Sequence, residues 1–226
     1  MDADALLAIA DGHWPAHSGW PEYDRATPSI VALHEGAHLV ATLALGAHAA
    51  DADFVAVSEG VHGMLYRVHG GKRIEPPPQV REQPYPCERD ADDGFRRMVL
   101  ERVAVYLAGH TAELVALGLD LRGWPRALLD TDDGRSAVLF AGLCWEDRID
   151  GPLAAGWMLA DATLRQHWPW LVRVASLIEQ TGECSKADAL QLRDANAEQV
   201  RRWPIEDPHA PAGGSSPAGS TLRDQS

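Results

Sequence analysis

Residues 28–45 read PSIVALHEGAHLVATLAL, a mainly apolar stretch that contains two histidines and one glutamate. Its apolar residues recur at helical spacing. Thr27 occupies an N-cap position, Pro28 suits the first helical turn, and Gly46 suits the C-terminal cap. The sequence therefore predicts a helix over 28–45 with one apolar face against the core.

An H-E-x-x-H pentad, His34-Glu35-Gly36-Ala37-His38, lies inside this predicted helix. Residues four apart share one helical face, so the imidazoles of His34 and His38 can reach a single ion. Glu35 lies one step round the helix, where its carboxylate meets a metal-bound water rather than the metal. This spacing is typical of zinc-dependent amide hydrolysis. The alternative is a core helix whose histidines pack or hydrogen-bond without a metal.

A catalytic zinc ion needs a third protein ligand and an open position for water. The pattern H-E-x-x-H-x-x-G-x-x-H fails here, because positions 41 and 44 are both alanine. The remaining ligand is therefore expected from a carboxylate on another helix. Glycine within a helix is unfavourable, and Gly36 is interpreted as allowing close approach of a strand or of the substrate, or as neutral drift.

The rest of the chain predicts further helices around a small sheet. Two strands, 54–58 and 64–68, are expected to be antiparallel, and the first is a candidate edge for binding an extended substrate. Residues 69–92 hold five prolines and many charges and are predicted to form a long surface loop. Further helices are predicted at about 3–11, 95–117, 131–147, 152–167, 169–180 and 185–202, the last opening with a capping box at Ser185 and Asp188.

Composition limits the classes of partner and compartment. The net charge is −13, from 20 basic and 33 acidic residues, which disfavours nucleic acid and anionic membranes. The three cysteines form no C-x-x-C pair, and no signal peptide or run of about 18 apolar residues is read, so a cytoplasmic protein without membrane insertion is expected. We expect one domain over 1–203 and a disordered tail rich in Pro, Gly and Ser over 204–226.

Several segments, in the same order, resemble the peptidase domain of the FtsH-type membrane AAA proteases. The likeness covers roughly residues 28–200. Its segments are the pentad helix, the strand Asp53-Phe54-Val55-Ala56-Val57-Ser58, the strand start Gly63-Met64-Leu65-Tyr66, the helical Ala108-Gly109-His110-Thr111-Ala112-Glu113, the helix start Asp132-Asp133-Gly134-Arg135-Ser136-Ala137 and the closing part from Trp170 to Asp194.

The resemblance implies a zincin-like α+β fold, mainly α, with a small β-hairpin or sheet beside the pentad helix. It makes His34, His38 and Asp133 the zinc (Zn2+) ligands and Glu35 the catalytic base. The neighbouring Asp130 and Asp132 stay open as substitutes for Asp133. Simple N-capping of the helix is the other interpretation of this aspartate cluster.

The likeness is incomplete in ways that affect function. The pentad interior is Gly-Ala rather than Ala-Gly, and His110 stands where the family has arginine. His110 is interpreted as a core histidine or as a group that binds the developing oxyanion. Glu113 is interpreted as the hydrogen-bond partner of a zinc-binding histidine or as a salt-bridge residue.

The sequence contains no P-loop, so an AAA module is not expected within it. The expectation is a zinc metallopeptidase that acts without ATP on peptides or unfolded protein. Self-association and a separate partner protein are both left open. The alternatives are a catalytically silent zinc-binding relative that serves as a protein-interaction module, and a helical interaction protein without metal.

Overall fold

The computed structural model describes residues 2–10, 16–17, 27–46, 54–57, 63–69, 72–74, 92–119, 123–145 and 148–194. Helices dominate this part of the chain, which confirms the prediction of a mainly α protein. The α-helices are α1 (Ala3–Ala10), α2 (Pro28–Leu45), α3 (Asp93–Ala116), α4 (Asp132–Ala141), α5 (Asp150–Gln166), α6 (Trp168–Thr181) and α7 (Lys186–Asp194). The strands are β1 (Ala16–His17), β2 (Phe54–Val57), β3 (Gly63–His69), β4 (Lys72–Ile74), β5 (Trp124–Pro125) and β6 (Glu183–Ser185).

Helix α2 has the predicted bounds. It ends at Gly46, whose φ of 72° is the left-handed conformation that glycine adopts most easily. Thr27 has the extended backbone of an N-cap, but its side chain makes no capping hydrogen bond. The start of the helix therefore depends on Pro28 and on burial of the first turns, where Ile30 and Val31 are already in the core.

Helix α3 is the central element of the fold. Asp92 caps it by accepting a 2.8 Å hydrogen bond from the Phe95 backbone N–H. One face of α3 packs with α2 and α6 in a first apolar cluster, through residues such as Val105 and Ala108. The opposite face packs with α1, α4 and α5 in a second cluster, through residues such as Val103 and Leu107. Helix α3 therefore contributes side chains to both apolar clusters.

Glycine allows close helix contacts at two places in this core. A Cβ on Gly36 would lie 3.3 Å from Leu171 and 3.4 Å from Val174, so α2 approaches α6 closely here. The neighbour of Gly36 is therefore a helix and not the strand that the sequence suggested. A Cβ on Gly156 of α5 would lie 3.1 Å from Val103 Cβ and closer still to Val103 Cγ1.

The sheet has four strands in the order β4-β3-β2-β6. The predicted hairpin of β2 and β3 is confirmed, with Phe54 opposite Tyr66. Strand β6 was not predicted, and it pairs with β2 over Phe54–Ala56. The candidate edge at this strand was therefore wrong, since Phe54–Ala56 pair with β3 on one side and with β6 on the other. Strand β4 lies inside the predicted loop 69–92 and pairs with β3.

Two connections also differ from prediction. A 3-10 helix, Arg126–Asp130, precedes α4, and α4 ends at Ala141 rather than near residue 147. The predicted capping box at the start of α7 is confirmed: the Asp188 N–H donates to Ser185 Oγ (3.1 Å), and the Ser185 N–H donates to Asp188 Oδ2 (3.2 Å). The predicted tail, 204–226, lies outside the described residues.

Among the described helices, α2 alone has the length and hydropathy of a membrane-spanning segment. Buried residues make up 67% of that segment, as expected for a core helix. The absence of membrane insertion and the cytoplasmic location both stay predictions.

Candidate metal centre

Helices α2 and α3 run in opposite directions where the pentad lies. His38 meets Val105 of α3, whereas His34 meets Gly109 and Glu113, which come later in that helix. The two pentad imidazoles lie one turn apart and face each other, with 3.1 Å between their Nε2 atoms. The spacing of four residues therefore brings them together as predicted.

Each pentad histidine is anchored at Nδ1 by an oxygen atom of α3. The His38 Nδ1 atom lies 2.7 Å from the backbone carbonyl oxygen of Val105, which can only accept a hydrogen bond. The His34 Nδ1 atom lies 2.7 Å from Glu113 Oε1. Since both Nδ1 atoms donate, Nε2 is the ring atom of each histidine that faces the site, and it is the atom that would bind a metal ion once it carries no proton.

Gly109 makes room for the ring of His34. A Cβ at this position would lie 2.5 Å from Cε1 and 2.6 Å from Cδ2 of that imidazole. Such distances are far inside van der Waals contact, so a side chain here would push the ring away. The backbone of α3 thus acts as the floor of the site.

Asp133 reaches the pentad from the first turn of α4. Thr131, not an aspartate, is the N-cap of this helix, and its Oγ1 accepts a 3.0 Å hydrogen bond from the Gly134 N–H. Gly134 also packs so tightly on the Leu128 carbonyl that a Cβ there would overlap it. Asp133 Oδ2 lies 3.1 Å from His34 Nε2 and 3.6 Å from His38 Nε2. The N-capping interpretation therefore does not apply to Asp133.

The two alternative aspartates do not join the His34, His38 and Asp133 group. Both are exposed. Asp132 Oδ1 accepts a 2.6 Å hydrogen bond from Arg135, and the Asp130 backbone carbonyl accepts one of 2.7 Å from the same guanidinium. Neither aspartate belongs to a metal-ligand group among the described residues, whereas Asp133 does.

The donor set fits a zinc ion. Ligand atoms bound at about 2.0–2.1 Å to one tetrahedral ion lie about 3.3 Å apart. The three separations here are 3.1, 3.1 and 3.6 Å. Two imidazoles and a carboxylate are also ligand types that zinc accepts. A second group that could hold an ion, His34, His110 and Glu113, is better explained by hydrogen bonds, because a 2.7 Å separation leaves room for a proton only.

The charges of the site are strongly coupled. Burial alone would lower the pKa of His34, but its hydrogen bonds to Asp133 and Glu113 outweigh burial and raise the pKa well above its usual value. Burial opposes ionisation of Asp133, yet the neighbouring His38 and His34 hold the pKa of its carboxyl well below its usual range. A proton between His34 and Asp133 thus takes the place that a cation would fill in the loaded site.

Glu35 and Glu113 have different environments. Glu35 is 7% exposed, and burial raises the pKa of its carboxyl. Burial would also raise the pKa of Glu113, but hydrogen bonds from His110 and His34 lower it strongly. Glu113 is thus a fixed anion between two imidazoles, while Glu35, beside the ligands, is the carboxylate suited to exchange a proton.

His110 was not predicted to contact the aspartate. Its Nδ1 atom lies 3.2 Å from Glu113 Oε2, and its Nε2 atom lies 3.6 Å from Asp133 Oδ2. Burial lowers the pKa of His110, which favours a neutral ring. The sequence offers only a weak signal for this placement, namely the spacing of three residues between His110 and Glu113.

Comparison of the sequence with protein-family profiles and with curated proteins gave no match.

Proposed function

We propose that the chain is a zinc-dependent peptidase with a zincin-like fold. One observation carries the proposal: His34 Nε2, His38 Nε2 and Asp133 Oδ2 converge from two helices, and the first two are held in the ligand form through Nδ1. Two imidazole nitrogens and one carboxylate oxygen this close together are suited to share one cation. The resemblance to FtsH-type peptidase domains supports the same ligands.

A zinc ion held by His34, His38 and Asp133 would act as a Lewis acid and would make a water molecule easier to deprotonate. The residues of the chain transfer the protons and hold the ligands in place. Glu35 accepts a proton from the water that attacks the peptide carbonyl, and it then gives that proton to the leaving amine. His34 and His38 hold their ring orientation through Glu113 and Val105 while this happens. The expected substrates are peptides or unfolded protein segments, cleaved without ATP by this chain alone.

The first test is zinc content. The wild-type protein is expected to bind about one zinc per chain, and His38→Ala and Asp133→Ala are expected to lose or weaken that binding. Asp132→Ala is the matched control, because it removes the neighbouring carboxylate, which is bound to Arg135 instead. A folded wild-type protein without zinc would refute the proposal and favour the helical interaction protein.

The second test is cleavage of a peptide library by the zinc-loaded protein. Glu35→Gln is expected to keep zinc and to lower the cleavage rate by about 10²–10⁴-fold, since it removes the base and leaves the ligands. Zinc binding without any cleavage would contradict the peptidase and leave the silent zinc-binding module. Degradation of folded, tagged proteins only in the presence of ATP would contradict the expected substrate class.

A further inference from the structure

Thr131 joins the first turn of α4 to the core of the protein. Its hydroxyl group donates a 2.7 Å hydrogen bond to the Leu128 backbone carbonyl and accepts one of 3.0 Å from the Gly134 N–H. The Thr131 N–H donates to the same carbonyl over 2.9 Å. The side chain of Leu128 is buried in the second apolar cluster. The hydroxyl group therefore links this cluster to the turn that carries Asp133.

Asp133 reaches the site from α4, whereas both histidines of the site lie on α2. Its Oδ2 atom lies 3.1 Å from His34 Nε2 and 3.6 Å from His38 Nε2. These are the groups with which it would share a metal ion, so bonds to the ion would replace both contacts. The position of its carboxylate then depends on the backbone of α4, much as the two rings depend on Glu113 and Val105.

Gly134 shows how closely this turn is packed. It is buried, and a Cβ there would overlap the Leu128 carbonyl group. Its N–H group has Thr131 Oγ1 as its acceptor, and a buried N–H without an acceptor is unfavourable. Without the hydroxyl group the turn would have to move to give this N–H another acceptor. Asp133 is the preceding residue and would move with it.

We propose that Thr131 is the positioning residue of the third metal ligand: its hydroxyl group, held between a carbonyl of the 3-10 helix and the Gly134 N–H, sets the position of Asp133. The inference rests on the metal site of the proposed function. An N-cap without this role would stabilise α4 and leave the affinity for the metal unchanged, and the experiment measures that difference.

The test compares variants that differ in the hydroxyl group of residue 131. Thr131→Val keeps the size of the side chain and removes the donor and the acceptor, so it is expected to weaken zinc binding by about 10–100-fold. Thr131→Ser supplies the same hydrogen bonds and is expected to bind zinc within about 3-fold of the wild type. Thr131→Ala is measured in parallel, so that the result does not depend on the folding of one variant. Competition with a chelator measures the affinities.

Ser185→Ala is the matched control. Ser185 Oγ accepts a 3.1 Å hydrogen bond from the Asp188 N–H, the same N-cap contact that Thr131 makes in α4, but α7 carries none of the proposed ligands. The two substitutions should lower the stability of the protein by similar amounts, whereas Thr131→Val alone should weaken zinc binding. An equal loss of zinc affinity in both variants would make Thr131 an ordinary cap and overturn the proposal.

Cobalt spectroscopy reports on the ligands rather than on stability. The visible absorption of bound Co2+ depends on its ligands, so at saturating Co2+ the spectrum of Thr131→Val is expected to shift in the direction of Asp133→Ala. The spectrum of Thr131→Ser is expected to match that of the wild type. A wild-type spectrum in folded Thr131→Val would overturn the proposal, whatever the affinity of that variant.

The outcomes separate this inference from the peptidase. Zinc binding that is weakened in Thr131→Val and restored in Thr131→Ser, in a protein that cleaves nothing, would keep the positioning residue and reject the peptidase. Peptide cleavage by a wild-type protein whose zinc affinity and Co2+ spectrum survive in Thr131→Val would do the reverse. A wild-type protein that binds neither Zn2+ nor Co2+ would reject both.

Discussion

Gly109 determines where the ring of His34 can lie. The imidazole rests directly on the α3 backbone, and the nearest ring atoms occupy the space of any side chain at this position. Because the same ring must reach both Glu113 and Asp133, a small displacement changes two contacts at once.

Replacing Gly109 with alanine is therefore expected to damage the site more than the fold. Alanine favours the helix by about 1 kcal/mol, but its Cβ displaces the His34 ring, so zinc affinity should fall by about 10–100-fold. Gly94→Ala in the same helix is the control, since its Cβ meets only the Asp92 side chain, at 3.2 Å. Equal zinc affinity in both variants, measured by competition with a chelator, would contradict this role for Gly109.

Cys184 gives a prediction about pH at a single residue. Burial, with a smaller effect of Asp188, raises the pKa of its thiol to about 12. The thiolate is the reactive form, so at pH 8 the native protein should alkylate Cys184 far more slowly than the half-buried Cys144. The rate at Cys184 should rise only as the pH approaches that raised pKa.

Mass spectrometry of the alkylated peptides measures both rates. The unfolded chain is the control, since there the two thiols should react alike. The same shift in pKa affects stability, because the thiol of the unfolded chain loses its proton at a lower pH than the thiol of the folded chain. The free energy of unfolding should therefore fall as the pH rises above about 8.5. Fast alkylation of Cys184 in the native state at pH 8 would contradict its burial.

Helices α3 and α5 cross closely at Gly156, a residue of α5 without a side chain. Gly156 lies against Val103, which belongs to the apolar cluster on the side of α3 away from α2. The helices can approach this closely because position 156 has no Cβ.

Gly156→Ala is expected to lower the free energy of unfolding by about 1–3 kcal/mol through overpacking. Val103→Ala removes the methyl groups that the new Cβ would meet. The double variant should therefore lose less free energy of unfolding than the two single variants lose in sum, and the difference, the coupling energy, should be about 0.5–3 kcal/mol. Denaturant unfolding of all four proteins measures the cycle, and strict additivity would argue against the contact.

The elements that sequence could predict are those with local signals. Helix α2 and the capping box of α7 depend on residues within a few positions of one another, and both lie where predicted. Strand β6 has three residues, Glu183–Ser185, without an alternating pattern, and it forms because β2 is available as a partner. Such distant pairing leaves no periodicity that a local pattern can show.

The same contrast applies to the site. His34 and His38 were predicted from their spacing, and Asp133 from its likeness to a family motif. The anchor of His38 is the backbone carbonyl of Val105, and no residue type encodes that role. His110 was missed as a neighbour of Asp133 because only the packed arrangement of α3 and α4 shows that contact.

At the scale of the molecule, the ligands join parts of the chain that are 99 residues apart, from His34 to Asp133. Zinc bound across α2 and α4 should therefore stabilise the folded state. At a free zinc concentration of about 1,000 times the dissociation constant, the free energy of unfolding should rise by about 4 kcal/mol. Removal of the ion with a chelator should lower the melting temperature accordingly.

Calorimetry with and without the chelator measures this shift. Asp133→Ala should melt at nearly the same temperature in both conditions, whereas Asp132→Ala should behave like the wild type. A chelator effect that survives in Asp133→Ala would place the stabilising ion elsewhere in the protein.

The position of β6 has a consequence for the growing chain. Strand β2 leaves the ribosome more than a hundred residues before the partner that covers its second edge. Until residue 185 has been made, that edge offers unpaired backbone groups to other polypeptides, a hazard during synthesis. A transcript broken just upstream of β6 would therefore yield a polypeptide with an open sheet, and quality-control factors should engage it more strongly than the full-length product.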